Sequence, residues 1–309
     1  MNPLSTRLDE YLSRRRRLGF KMCQAGYLLP QFVRFAQQEK AAFITTKLAL
    51  AWATQNKGCQ PAYWADRLGL VRRFARYLSA LDPRTEIPPE GLLPHRHHRK
   101  NPCLYRDEEV GQLLQAAQQL PGPDELRAAT CAIFFGLLAV TGMRVGEAIG
   151  LARQDVNLDQ ALLTLRHTKF NKSRLVPIHP TTVDKLRQYE RLRDRIGPPP
   201  KSPHFFLSAR GTRLAYTTVR HWFIQVSYQI VLRGPTDRRG PRLHDLRYRF
   251  AIGTLLRWYR TDQDIEAHLP ELTTYLGHGH VADTYWYLSA TPELLQLATQ
   301  RWEREPSKP

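Results

Sequence analysis

A cluster of prolines one third of the way along constrains this chain more than any other feature. Pro83, Pro88, Pro89, Pro94 and Pro102 fall within one short stretch, and His95-Arg96-His97-His98-Arg99-Lys100 lies among them. Each proline fixes φ and removes a backbone donor, so neither a long helix nor a central strand can run through. Pro-rich and basic, residues 83–102 read as an interdomain linker. The 309-residue chain therefore divides into an N-terminal domain, 1–82, and a larger one, 103–309, as its length also suggests.

The first domain reads as all-helical. Asn2-Pro3 is a cap and first-turn pair, and Leu4, Leu8, Tyr11 and Leu12 share a face, with a stop near Gly19. Leu28, Phe32, Phe35 and Ala36 mark a second helix, which carries Pro30. Thr45 or Thr46 caps a third, to Thr54. Trp64, Leu68, Val71, Ala75 and Leu78 form the apolar stripe of a fourth.

Residues 103–309 mix helices with a small sheet. Helices are expected from Asp107 to Gln119 and from Pro123 to near Gly142, and then over Val183–Leu192, Tyr216–Val231, His244–Tyr259, Leu269–Leu276 and Ala282–Tyr287, with one more after Thr291-Pro292. Alternation over Leu162–His167 marks one strand, Arg174–Ile178 a second, and Phe205-Phe206-Leu207 a third short one. The fold class is mostly α, an α+β domain preceded by an all-α one.

Charge narrows the partner. The chain carries 46 Lys and Arg against 28 Asp and Glu, a net +18, and such a surplus points to a polyanion, nucleic acid first. The first third is the more basic part. Arg14, Arg15, Arg16 and Arg17 end the first helix, and Arg67, Arg72, Arg73 and Arg76 are interleaved with the stripe of the fourth. They are read together as DNA contacts, although any one of the fourth-helix arginines alone is better read as a solvated helix face. Hydrophobic residues at 42% allow a real core. The apolar run Ala128–Val140 is too short to span a bilayer, and the N-terminus has no signal-peptide core. Cys23, Cys59, Cys103 and Cys131 show no metal spacing and fit reduced thiols. A cytoplasmic, nucleoid-associated protein is expected. The His95–His98 tract and the pair His278-x-His280 invite a zinc reading, but neither has a full ligand set, so no metal is expected.

Four segments of the larger domain carry chemistry together. Thr141-Gly142-Met143-Arg144-Val145-Gly146-Glu147 sets an arginine at a turn with a glutamate three residues on. Lys169 lies at the tip of the strand-turn-strand, with Lys172 in the same turn. His244-Asp245-Leu246-Arg247 follows, then Leu276-Gly277-His278 with Tyr287 nine residues later.

These residues resemble the tyrosine recombinases, the phage-integrase-like family of site-specific recombinases. A TG-x-R-x-x-E segment, a hairpin lysine, an H-x-x-R pair and an LGH…Y tail make one active site in that family. Here they are Arg144 with Glu147, Lys169, His244, Arg247, His278 and Tyr287, in order, over nearly all of 103–290. Residues 1–82 resemble the family's core-binding domain. Gly279 stands where a small hydroxyl residue is common, and Tyr248 where a histidine is common; neither change removes a chemical role.

The resemblance implies DNA cleavage by transesterification. Tyr287 is the nucleophile, Arg144 and Arg247 clamp the phosphate oxygens, Lys169 protonates the leaving 5′-oxygen, and His244 and His278 donate to the phosphate. Guanidinium suits the clamp because it stays charged and binds bidentately. Glu147 positions the site, though Arg144 and Glu147 are also spaced for a plain ion pair. Lys172 is a rival to Lys169, better read as a DNA-backbone contact. Tyr285 is a rival to Tyr287, with Tyr285 and Trp286 expected to be packed aromatics. No ATP, metal or other cofactor is expected, since the bond count is conserved.

The implied partners are double-stranded DNA with a specific site and three further copies of the chain, a tetramer on two duplexes. Accessory recombinases and a mobile-element or transposition role belong to the same expectation. The last helix, 291–303, with Leu294, Leu295, Leu297, Ala298 and Trp302 on one face, packs on its own domain or docks on a neighbour; docking is the expectation. Two rivals stay open: a type IB topoisomerase-like enzyme, and a non-catalytic DNA-binding protein on the same fold. A metal-dependent nuclease lacks paired carboxylates in these motifs.

Overall fold

The computed structural model describes residues 3–95, 102–122, 125–166, 173–234, 236–237, 240–288 and 291–304. The chain divides into two compact units, Met1–Lys100 and Asn101–Pro309.

The described secondary structure of the first unit is all helical: α1 (Pro3–Arg17), α2 (Cys23–Gln38), α3 (Thr46–Thr54) and α4 (Pro61–Ser79). Thr45 is the cap of α3, its hydroxyl accepting from the Leu48 N–H at 3.1 Å. Leu29, Phe32, Trp52, Val71 and Phe74 fill the core. The segment expected to open the linker belongs to this unit. Thr46 N–H donates to Glu86, Glu86 N–H to the Ile44 carbonyl, and Leu93 packs on the core. Prolines bar a helix there, but they leave extended backbone free to pair with side chains. Arg96–Lys100 lie outside the described residues.

The second unit is mostly α with a small sheet. Its helices are α5 (Asp107–Gln118), α6 (Glu125–Thr141), α7 (Val145–Gly150), α8 (Pro180–Ile196), α9 (Tyr216–Gln229), α10 (Asp245–Arg260), α11 (Ile265–Leu276), α12 (Ala282–Leu288) and α13 (Pro292–Arg304). Strands β1 (Val156–Asn157), β2 (Leu162–Leu165) and β3 (Arg174–Pro177) form an antiparallel sheet in that order, with Leu165 opposite Arg174. The third strand is thus Val156–Asn157. Phe205-Phe206-Leu207 is instead a buried plug with a single bridge, Leu207 to Arg213; three apolar residues in a row suit a fully buried segment of any backbone shape.

Among the described residues, two apolar clusters build this unit. One surrounds α6, with Phe134, Phe135, Leu163, Val176, Phe205 and Phe223. The other joins α10 to α13 through Leu255, Leu272, Leu276, Tyr287 and Leu294. The last helix packs on its own domain: Leu294 is 1% exposed, and Arg260 pairs with Glu293 at 2.6 Å. Leu295 on the same helix remains 52% exposed. Among the described residues no helix is long and apolar enough to cross a membrane.

Candidate active site

Arg144 caps α7 just after Gly142, which turns the chain out of α6 at φ 59°. A Cβ there would meet the Phe250 ring at 2.5 Å, so the close approach as well as the turn requires glycine. Glu147 folds back one turn: Oε2 accepts from the Arg144 backbone N–H at 2.9 Å, and Oε1 from its guanidinium at 2.7 Å. The glutamate thereby satisfies a helix-start donor and holds the arginine in place.

A further residue, not singled out from the sequence, completes this arrangement. Arg174 at the start of β3 donates to both Glu147 oxygens, at 3.0 and 2.8 Å, and to the Tyr275 carbonyl at 2.8 Å. The Arg174 and Glu147 side chains are only 8% and 6% exposed. Burial alone would push the Glu147 carboxyl up, but the Arg174 bond and charge, with the Arg144 N–H groups, hold it below its ordinary value. The signal was in the strand alternation, which puts Arg174 on the face of buried Val176. A charge on an inward face demands a partner.

Arg247 crosses between motifs. It is 2% exposed, and its guanidinium donates to the Gly142 carbonyl at 2.9 Å and the Leu276 carbonyl at 2.8 Å. Arg144 makes the reciprocal link, donating to the Gly277 carbonyl at 2.9 Å. Gly277 ends α11 at φ 68°, and a Cβ there would sit 2.5 Å from the Arg174 guanidinium. Three segments far apart in sequence are thus laced by arginines on main-chain carbonyls. Burial pushes the Arg247 guanidinium below its usual range, and the Tyr287 phenol, in hydrogen-bond reach, partly offsets that.

Tyr287 sits in an aromatic box. Its ring stacks on His278 at 5.9 Å and 18°, and Tyr248 meets it edge-on at 5.3 Å. His244 in turn meets Tyr248 at 5.2 Å. His278 hydrogen bonds through Nδ1 to the Thr284 hydroxyl at 2.7 Å. Burial, then the charges of Arg247 and Arg144, push His278 down to about 4. His244 keeps solvent access at the rim, yet crowding by neighbours and the Arg247 charge bring it to about 4 as well. The packing of the two tyrosines reverses the expectation: Tyr285 is 53% exposed, and Tyr287, at 3%, is the packed one. Their spacing explains it, because positions two apart on α12 face different ways. Lys169 and Lys172 lie outside the described residues.

Residues 104–293 match the model of the phage integrase family. Over 308 residues the chain is 49% identical to a protein of Sinorhizobium fredii (strain NBRC 101917 / NGR234) described as an integrase/recombinase, y4rB, covering 98% of each. The chain belongs to the phage integrase family. It is a tyrosine recombinase, a site-specific DNA recombinase. Solved structures share the fold. The Tn1549 transposon integrase in complex with transposon right-end DNA aligns at a TM-score of 0.64 and 14% identity, over 96% of this chain and 99% of that one. A lambda integrase tetramer bound to a Holliday junction aligns at 0.61 and 18%, over 91% and 78%.

In this recombinase the basic residues of the first unit fall into two groups. Arg14, Arg16, Arg17, Arg73 and Arg76 are exposed, and Arg15 is half-buried with its guanidinium 3.8 Å from the Phe20 ring centre. Two of the expected DNA contacts are occupied inside the fold. Arg67 is 7% exposed and lies over Trp52 at 4.0 Å, and burial lowers its pKa. Arg72 donates to the Pro88 and Pro89 carbonyls at 2.7 and 2.6 Å, where prolines leave extended carbonyls open. Among the described residues no group of three His, Cys, Asp or Glu is arranged to hold a metal.

Proposed function

We propose that this recombinase cuts and rejoins DNA through a covalent link on Tyr287. The observation that carries the reading is the phenol of Tyr287 against the Arg247 guanidinium, with His278 stacked on its ring. The phenol oxygen attacks phosphorus, the bond to the 5′-oxygen breaks, and that oxygen leaves with a proton. The product is a 3′-phosphotyrosyl ester and a 5′-hydroxyl. A second 5′-hydroxyl reverses the step, so neither ATP nor a metal ion is consumed.

Arg144 and Arg247 stabilise the charge that develops on the non-bridging oxygens, where a guanidinium in a water-poor site acts most strongly. His244 and His278 donate to the phosphate, and His244 at the rim takes the tyrosine proton. Lys169 supplies the proton to the leaving oxygen. Glu147 and Arg174 hold Arg144 and the LGH segment in register. With Tyr287 only 3% exposed, α12 shifts when DNA engages, because attack requires contact with the phosphate.

The assembly is a tetramer on two duplexes, and the half-exposed face of α13, Leu295 foremost, is its contact with a neighbour. Arg73, Arg76 and the α1 arginines neutralise DNA phosphates in the cytoplasm, on the nucleoid. A mobile-element substrate and accessory recombinases complete the reading. A randomised library of nicked duplexes incubated in EDTA tests it. The expected product is a denaturant-resistant link to a DNA 3′ end, enriched for one sequence. Relaxation of plasmids lacking that sequence would favour a topoisomerase-like enzyme, and loss of cleavage in EDTA a metal nuclease.

A further inference from the structure

We infer that Thr284 and Thr273 form a two-hydroxyl relay that sets the tautomer of His278, with the proton on Nδ1 and a bare lone pair on Nε2. The inference deepens the reading of His278 as a phosphate contact and rests on it.

The relay is a continuous chain of short contacts. His278 Nδ1 lies 2.7 Å from the Thr284 hydroxyl, that hydroxyl lies 2.8 Å from the Thr273 hydroxyl, and Thr273 donates to the Leu269 carbonyl at 2.8 Å. Thr284 is 0% and Thr273 7% exposed, so water does not substitute for a missing partner. The Thr273 backbone carbonyl also accepts from the His278 backbone N–H at 3.0 Å, which fixes the main chain that carries the ring against the relay.

Each hydroxyl has one hydrogen, and a carbonyl only accepts. With the chain ending on Leu269, Thr273 gives its hydrogen there, Thr284 gives its own to Thr273, and His278 must donate from Nδ1. That direction makes three hydrogen bonds. The reverse, with Thr284 donating to Nδ1, makes two and forgoes either the bond to Leu269 or the one between the threonines, an unfavourable exchange in a buried site. A neutral ring has one N–H, so Nε2 is then a lone pair. The burial and cationic neighbours that lower this ring's pKa keep it neutral at pH 7.

The consequence is chemical. On this neutral ring Nε2 is an acceptor with no hydrogen to donate. To donate to a phosphate oxygen, the ring takes a proton from solvent at Nε2, which the phosphate charge favours, and engages as an imidazolium. Thr284 and Thr273 are positioning residues for that event.

The test is imidazole ¹⁵N NMR of the full chain at pH 7. The wild type is expected to show a protonated Nδ1 and a bare Nε2 at His278. Thr273→Val removes the acceptor for Thr284 and leaves Nδ1 as its remaining partner, so the tautomer switches to Nε2–H although His278 itself is untouched. Thr284→Val gives a mixture. A wild type with Nε2–H, or a Thr273→Val spectrum identical to wild type, overturns the inference. On a nicked substrate carrying the enriched site, Thr284→Val cleaves about 10-fold more slowly, as loss of an orienting partner does elsewhere, and Thr284→Ser restores most of the rate. Equal loss in both variants indicates packing alone and overturns the positioning role. If Thr284→Val does not fold, the Thr273→Val spectrum decides. Adduct formation by Tyr287→Phe would defeat the catalytic reading and leave the NMR result standing, so the two failures are distinguishable.

Discussion

In the helical unit, Arg73 and Arg76 extend from α4 into solvent while Arg67, about two turns away, sits over the Trp52 ring. In the second unit, Arg144, Arg174 and Arg247 turn inward onto four main-chain carbonyls and one carboxylate. The first arrangement leaves charge free to meet a phosphate backbone at low positional cost, which gives affinity with little sequence choice. The second fixes the charges before any substrate arrives, and preorganised charge is what stabilises a transition state. On the proposed reading the same side chain serves binding in one region and catalysis in the other, and what it touches decides which.

The contrast breaks most sharply at Arg247. Arg247→Ala is expected to slow single-turnover cleavage by about 10²–10³-fold with DNA affinity reduced far less; a loss confined to affinity would place Arg247 with the surface arginines. Arg174→Leu should destabilise the fold by about 3 kcal/mol, since it leaves the buried Glu147 short of a cation. Denaturant unfolding measures that, and an unchanged midpoint would reduce the Arg174 bracket to decoration.

A smaller effect separates the units by pH. His244 and His278 have folded values near 4 against an ordinary 6.5. The unfolded chain therefore binds protons first as pH falls, and the stability these rings contribute as neutral groups is lost progressively from about 6.5 to about 4. Glu147, held below 4.5, adds its own loss from about 4.5 downward, overlapping the lower end of that window. The thermal midpoint of the free protein should fall between pH 7 and 4.5, and less so in His278→Gln; equal falls in both would remove His278 from the account. The smallest effect lies on α4. Arg73→Ala or Arg76→Ala should lower the slope of log affinity against log salt by about one each, and Arg67→Leu should leave it unchanged.

The helices and the active-site motifs were legible because they are local patterns. Arg144 and Glu147 share a single turn, and the apolar stripe of α4 repeats at the helical period. What escaped depended on partners distant in sequence. Arg174 has its meaning only opposite Glu147, and Arg67 only above Trp52. Val156–Asn157 is too short for alternation to register, and Phe205-Phe206-Leu207 is buried on all sides, which suits a strand and a plug equally. The Thr273–Thr284 relay joins two helices that no spacing rule connects.

The central claim is that Tyr287, packed against Arg247, is the nucleophile. Wild type, Tyr285→Phe and Tyr287→Phe should be compared on nicked DNA carrying the enriched site, with the covalent adduct resolved on a denaturing gel. The account predicts an adduct in the first two and none in the third. An adduct formed by Tyr287→Phe, or one lost in Tyr285→Phe, would contradict it.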